Sequence, residues 1–344
     1  PGESVELPRV RLLVYQGDWR RAARAYWAWY AHAGPHVEPP AWFRQSDGLS
    51  GIHVGIGSSR LESLRDLPRL HLRTPQDALE YAFYCQGSVG HDDVHTDGDN
   101  VIREDLGGAA AMRDGIAGVH RLGLHVTLYV EGFIVHKDSQ LAATGRARRW
   151  SVMHRDGSAT GPYSKNGFLH MCPGCEEWQD HLAGVVARLL RETGADGIRL
   201  DSLGFYYLPC YNPAHGHASP FDYNEWIKQL LAKVRAAAIA VKPDVLLLTE
   251  GSADWFGPWF HGALTARCPR DLPPMRLAVH PFRNYVYACG ALWGSLSGYP
   301  GGGCQGPDTS TMDWNWACAR VSAGEALVWG DVHDDGPRCA DPEI

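Results

Sequence analysis

The sequence predicts an α/β protein built as a (β/α)8 TIM barrel. Three observations carry this expectation. Short aliphatic or β-branched runs alternate with amphipathic segments of helical period, and the units recur about every 40 residues along most of the chain. No glycine-rich nucleotide fingerprint marks the competing doubly wound sheet. Residues 1–45 are expected to form a lead-in segment whose helix packs on the barrel, and residues 46–344 the barrel itself.

The elements follow in order. A helix over Trp19–Ala31 stops at Gly34-Pro35, and Gly51–Ile56 reads as a strand. Tyr81–Cys85 fits either a strand or the end of a helix begun at Gln76. Met112, Ile116 and Val119 share a helical face that Gly123 closes, and His125–Val130 follows as a strand. Trp178, Leu182, Val185 and Leu189 line the next helix, ended by Gly194, before the strand Gly197–Leu200. A second helix starts near Asp222 with Glu225 placed for a capping box. Its stripe is Trp226, Leu230 and Val234; Pro243 stops it, and Val245–Leu248 is a buried strand. In the last third Gly262–Thr265 and Ala326–Trp329 fit strands, and Gly298–Asp308, rich in Gly and Pro, reads as a loop.

Composition narrows the function. The 344 residues carry a formal charge of −7, so a phosphate-binding surface and a nucleic-acid partner are not expected. No apolar run approaches the roughly 18–20 residues of a membrane span, so no membrane partner is expected either. Thirteen Trp against nine Phe suits sugar platforms as well as core packing, with packing the better explanation from composition alone. The nine Cys include one close pair, Cys172-Pro-Gly-Cys175, which reads as buried apolar thiols because no second such pair follows at zinc spacing. The chain opens on Pro1-Gly2-Glu3, as expected of a piece excised from a longer protein.

In a barrel of this kind, reactive groups sit where strands end, on the C-terminal face. Three strand ends carry a carboxylate: Glu131, Asp201 and Glu250. Two carboxylates flanking one bond is what glycoside hydrolysis needs, one attacking the sugar and the other protonating the departing oxygen. Neighbouring strands lie about 4.8 Å apart, near the separation of a retaining pair.

The segment Ala195-Asp196-Gly197-Ile198-Arg199-Leu200-Asp201 resembles the fourth-strand motif of retaining α-glycosidases of the α-amylase type. In that group the final Asp is the nucleophile, the Arg two residues earlier contacts it, and a Glu ending the next strand is the general acid. Glu250 matches that position. The chain is more closely similar to a bacterial family of glycosidase-like TIM barrels. The resemblance is carried by Gly17-Asp18-Trp19-Arg20, Asp105-Leu106-Gly107-Gly108, Met171-Cys172-Pro173, Cys210–His217 and Thr249-Glu250-Gly251. It implies a carbohydrate substrate and a β-sandwich domain N-terminal to the barrel. Two features depart from the amylase pattern: Gly132 follows Glu131 where an Asp and then Asn-His would stand, and only His333-Asp334 offers a third carboxylate.

The expected activity is therefore a retaining glycosidase acting on an α-linked glycan, with Asp201 and Glu250 catalytic and Arg199 keeping Asp201 ionised. Glu131, His91, Asp92, His215, His217 and Trp255 are the expected substrate-binding walls, and neither cofactor nor metal is required. Two alternatives stay open. One is a metal-dependent hydrolase using His215 and His217, whose His-x-His spacing with Cys210 upstream suits a metal. The other is a barrel that binds glycan without cleaving it. Asp93–Glu104 approaches a calcium-loop pattern, but His95 occupies the third ligand position, and a solvated loop over the pocket is the better reading.

Overall fold

The computed structural model describes residues 12–17, 21–22, 25, 28–29, 32, 37–46, 48–54, 61–73, 78–82, 84–85, 97–159, 161, 164, 167–201, 203, 207–250, 256–265, 283–287 and 326–329. At 44, 48–53, 71–73, 250, 263–265, 283–287 and 326–329 the description is of the backbone alone.

Ten strands are present among these residues: β1 (Gly48–His53), β2 (Ala78–Ala82), β3 (His125–Glu131), β4 (Ile134–His136), β5 (Phe168–His170), β6 (Gly197–Asp201), β7 (Leu246–Glu250), β8 (Gly262–Thr265), β9 (Arg283–Tyr287) and β10 (Ala326–Trp329). Eight of them pair in parallel in the ring order β1-β2-β3-β6-β7-β8-β9-β10, and β10 returns to β1. β4 and β5 form a separate antiparallel pair in the long connection between β3 and β6. The helices are α1 (Ala41–Gln45), α2 (Gly108–His120), α3 (Gln140–Ala143), α4 (Arg146–Trp150), α5 (Glu176–Thr193) and α6 (Tyr223–Val241).

Strand alternation divides the molecule into two apolar regions. In β3, Val126, Leu128 and Val130 join the large cluster shared with the helices, including Met112 and Ile116 of α2 and Trp178, Leu182 and Leu189 of α5. Their neighbours Thr127, Tyr129 and Glu131 lie on the other face, inside the ring, where Tyr129 packs on Ala82. Burying each large aliphatic or aromatic side chain of the outer layer contributes about 1.5–3 kcal/mol. α2 approaches the 3₁₀ stretch Leu64–Arg73 so closely that a Cβ on Gly115 would lie 2.0 Å from the Leu64 carbonyl oxygen.

Glycines follow two of the helices where the sequence places them, and one expected cap is missing. α5 stops at Gly194, which takes φ 75° and donates its N–H to Leu190 O. Gly123 takes φ 81° in the turn after α2. The capping box expected at α6 does not form. The Asp222 side chain makes no cap hydrogen bond, and Glu225 accepts from Lys228 Nζ at 2.6 Å instead. β2 resolves the ambiguity at Tyr81 in favour of a strand, beginning three residues before it. The expected Gly298–Asp308 loop lies outside the described residues.

Candidate active site

β6 carries the densest chemistry in the ring. Arg199 donates from Nε and Nη2 to both oxygens of Glu80 on β2, at 2.7 and 2.8 Å, and from Nη1 to Asp201 Oδ1. This two-pronged geometry suits a planar guanidinium and gives its strongest hydrogen bonds. The Arg199 and Glu80 side chains are 3% and 6% exposed, whereas Asp201 is 17% exposed. Asp201 is thus the outermost member of the group and the one solvent reaches. Its other oxygen, Oδ2, accepts from Tyr129 Oη at 2.9 Å. The Tyr129 ring also lies under the guanidinium, 4.9 Å from centroid to Cζ, and its backbone carbonyl accepts from the buried Tyr84 hydroxyl at 2.8 Å. Both carboxylate oxygens of Asp201 are therefore held in a fixed orientation at a strand end.

The opposite end of the same strand is a clasp. Asp196 accepts from His120 Nε2 at 2.8 Å, Lys242 Nζ at 2.5 Å and Val126 N at 2.9 Å. Burial alone would raise its pKa, but these donors outweigh burial and hold the carboxyl down to about 2.

The remaining expected site residues divide. The paired register of β6 and β7 ends at Leu200 and Thr249, and Asp201 and Glu250 are the next and last residues of their strands. Glu131 pairs with Asp201 across the β3–β6 ladder, yet its carboxylate turns to its own chain. Oε1 accepts from Phe133 N at 2.9 Å and Ile134 N at 3.4 Å, and Oε2 lies 3.3 Å from the Tyr129 hydroxyl. At 3% exposure Glu131 closes the turn after β3 and lies against the Tyr129 hydroxyl. His91, Asp92 and Trp255 lie outside the described residues, as do residues 93–96 of the calcium-like loop. Farther along that loop, Asp97 Oδ1 accepts the backbone N–H groups of Asp99 and Asn100. Burial raises the Asp97 carboxyl to about 6 against those bonds.

His215 and His217 sit side by side, their ring centroids 5.7 Å apart. They meet Cys172 and Cys210 in a compact cluster whose donor atoms all lie within 4.8 Å of one another. His215 Nδ1 lies 3.4 Å from Cys210 Sγ, and His217 stacks on Trp226 with 4.3 Å between ring centroids. The contact with Cys172 lowers the Cys210 thiol against its burial. Burial alone would lower His215, but contacts with Cys175, Cys210 and the Arg149 carbonyl raise it to about 10. Reading Cys172 as a plain buried thiol misses this meeting. The available signal is Cys172 followed, one helix-strand unit later, by Cys210 and His215-Gly-His217. Glu80 is missed as well, since no local pattern around it signals its partner.

Comparison with known proteins agrees with this architecture. A protein of Bacteroides thetaiotaomicron described as "Putative glycoside hydrolase" is 27% identical over 171 residues, which cover 47% of this chain and 25% of that protein. The chain thus spans about a quarter of the length of that curated relative. Among solved structures, an α-galactosidase from Lactobacillus brevis aligns with a TM-score of 0.59 at 13% identity, over 92% of this chain and 41% of its own. An α-N-acetylgalactosaminidase from Bifidobacterium bifidum aligns with a TM-score of 0.56 at 15% identity, over 78% and 47%. At such identities the structural likeness speaks for the fold. Residues 105–296, more than half of the sequence and the stretch that holds β3, β6 and β7, match one family model, and the chain belongs to that family, the "Domain of unknown function (DUF6259)".

Proposed function

We propose that this chain is the (β/α)8 catalytic barrel of a retaining glycoside hydrolase acting on an α-linked glycan. The observation that carries the proposal is Asp201, a partly exposed carboxylate at a strand end, oriented through both oxygens by Arg199 and Tyr129. In the first step a carboxylate oxygen of Asp201 bonds to the anomeric carbon. The bond from that carbon to the leaving oxygen breaks, and Glu250 gives that oxygen a proton. In the second step Glu250 takes a proton from water, whose oxygen displaces Asp201 and regenerates the free carboxylate. The guanidinium stabilises Asp201 as an anion between turnovers, and Glu80 keeps the guanidinium from swinging into the pocket. The Bacteroides relative and the solved glycosidases of similar fold add to this reading.

A fluorinated glycosyl fluoride, which forms the glycosyl-enzyme but slows its hydrolysis, tests the assignment. Peptide mass mapping should place the adduct on Asp201, and NMR should show product with the anomeric configuration of the substrate. An adduct on another residue, inverted product, or Asp201→Asn turning over aryl α-glycosides like the parent would overturn it.

A further inference from the structure

The cluster around Cys172 has its own construction. Cys172 sits in the tight turn between β5 and α5, where Cys175 N donates to Cys172 O at 3.0 Å. Gly174 is required there, because a Cβ would lie 2.6 Å from the Trp226 indole. That indole in turn forms the floor on which His217 stacks. Cys210 begins the segment leading to His215 and His217 and is anchored by its N–H to Pro220 O at 3.0 Å.

His215 is held at both ring nitrogens. Nε2 lies 2.8 Å from the Arg149 carbonyl oxygen and 3.0 Å from Asn212 Nδ2. Nδ1 faces Cys210 Sγ at 3.4 Å. A ring N–H given to a backbone carbonyl is the supporting contact that metal-bound histidines use. Asn212 Nδ2 donates to the same carbonyl at 3.2 Å. His217 Nε2 is enclosed and has no hydrogen-bond partner among the described residues. A buried nitrogen left in that condition is costly unless something bonds to it.

We propose that Cys172, Cys210, His215 and His217 bind a structural zinc ion. Two thiols and two imidazoles form a donor set that zinc takes in tetrahedral geometry. Ligand atoms on such a tetrahedron lie about 3.3–3.8 Å apart given zinc–sulfur and zinc–nitrogen bonds of about 2.3 and 2.0–2.1 Å. The 3.4 Å from Cys210 Sγ to His215 Nδ1 matches that edge. The bound ligands are two thiolates and two neutral imidazoles, so with the divalent ion the site is neutral. Four protein ligands fill the tetrahedron, so the ion staples the segment after β6 to the β5–α5 turn and activates no water. The binding is independent of the glycosidase assignment.

The full chain, expressed with zinc in the medium and purified without chelator, should carry one zinc by elemental analysis. Cobalt exchanged for it should show intense visible bands of tetrahedral cobalt and thiolate-to-cobalt charge transfer. Cys210→Ser and His217→Ala should lose the bound metal, and chelation of the parent should lower its melting temperature. Cys175→Ser, which changes the thiol beside the set, should keep the metal. Metal-free parent protein with freely reactive thiols, a Cys172–Cys210 disulfide, or cobalt spectra lacking charge transfer would overturn the proposal. The metal content and the spectra are read on the parent, so the proposal stays falsifiable even where a variant fails to fold.

Discussion

Glu80→Gln separates the contribution of the buried ion pair from that of shape, because the two side chains have nearly the same volume. Arg199 gives Glu80 two hydrogen bonds, at 2.7 and 2.8 Å. An amide can accept one of them and turns its own N–H donors on the other. The lost charge-assisted bond is worth about 1.5–3 kcal/mol. The guanidinium, 3% exposed, then retains its charge with Asp201 as the carboxylate still facing it among the described residues. The expected loss is about 3–4 kcal/mol, within the range for breaking a buried pair. Arg199→Met should cost about 3–5 kcal/mol by stranding Glu80. Removing both groups, with Glu80→Leu and Arg199→Met, should cost less than the sum of the corresponding single changes by at least about 2 kcal/mol. Urea unfolding followed by tryptophan fluorescence, on the parent, the singles and the double variant, reads these differences. A Glu80→Gln chain within about 0.5 kcal/mol of the parent, or a strictly additive double variant, would refute the argument.

Tyr129→Phe removes the hydroxyl that holds Asp201 Oδ2, and glycosidase kcat/KM should fall about 10–100-fold with folding retained, since hydrogen bonds to charged groups are worth about 1.5–3 kcal/mol. The Asp196 carboxyl is held to about 2 in the folded chain against an ordinary 3.8, so its contribution is fully present above about pH 4 and lost as pH falls through 2. That contribution is about 2 kcal/mol at neutral pH, and Asp196→Asn should remove the corresponding pH dependence from unfolding curves. Gly115→Ala should destabilise by about 1–3 kcal/mol or more, read as a lowered melting temperature by circular dichroism, because the new methyl meets backbone at Leu64.

The parts legible in sequence are those governed by local pattern. β3, β6 and β7 are aliphatic runs enclosed between ring interior and helices, so their composition declares them. β9, Arg-Asn-Tyr-Val-Tyr, escapes because Arg283 and Asn284 interrupt the apolar run. Asp201 is recognisable because a charge at the end of a buried strand is conspicuous. Glu80 is not, since its partner is 119 residues away and the two meet only when β2, β3 and β6 assemble. Glu131 fits the strand-end rule by position, and the N–H groups of Phe133 and Ile134 that it accepts come from a turn the rule does not address. The cysteine–histidine cluster depends on the packing of α5 against α6, which no spacing rule for adjacent cysteines encodes.

The short stretch from Asp196 to Asp201 behaves as a measuring rod. Its lower end is clamped by Lys242 and His120, and the five residues of β6 then rise about 17 Å to the carboxylate at the top. Because side chains alternate along a strand, one inserted residue would turn Asp201 outward toward the helices while leaving the clamp intact. Conservative exchanges at Ile198 or Leu200 leave the interval unchanged. What descendants of this chain must preserve is thus a length. As long as that length is kept, the loops beyond Asp201 are free to grow, shrink or exchange without altering where its carboxylate is aimed.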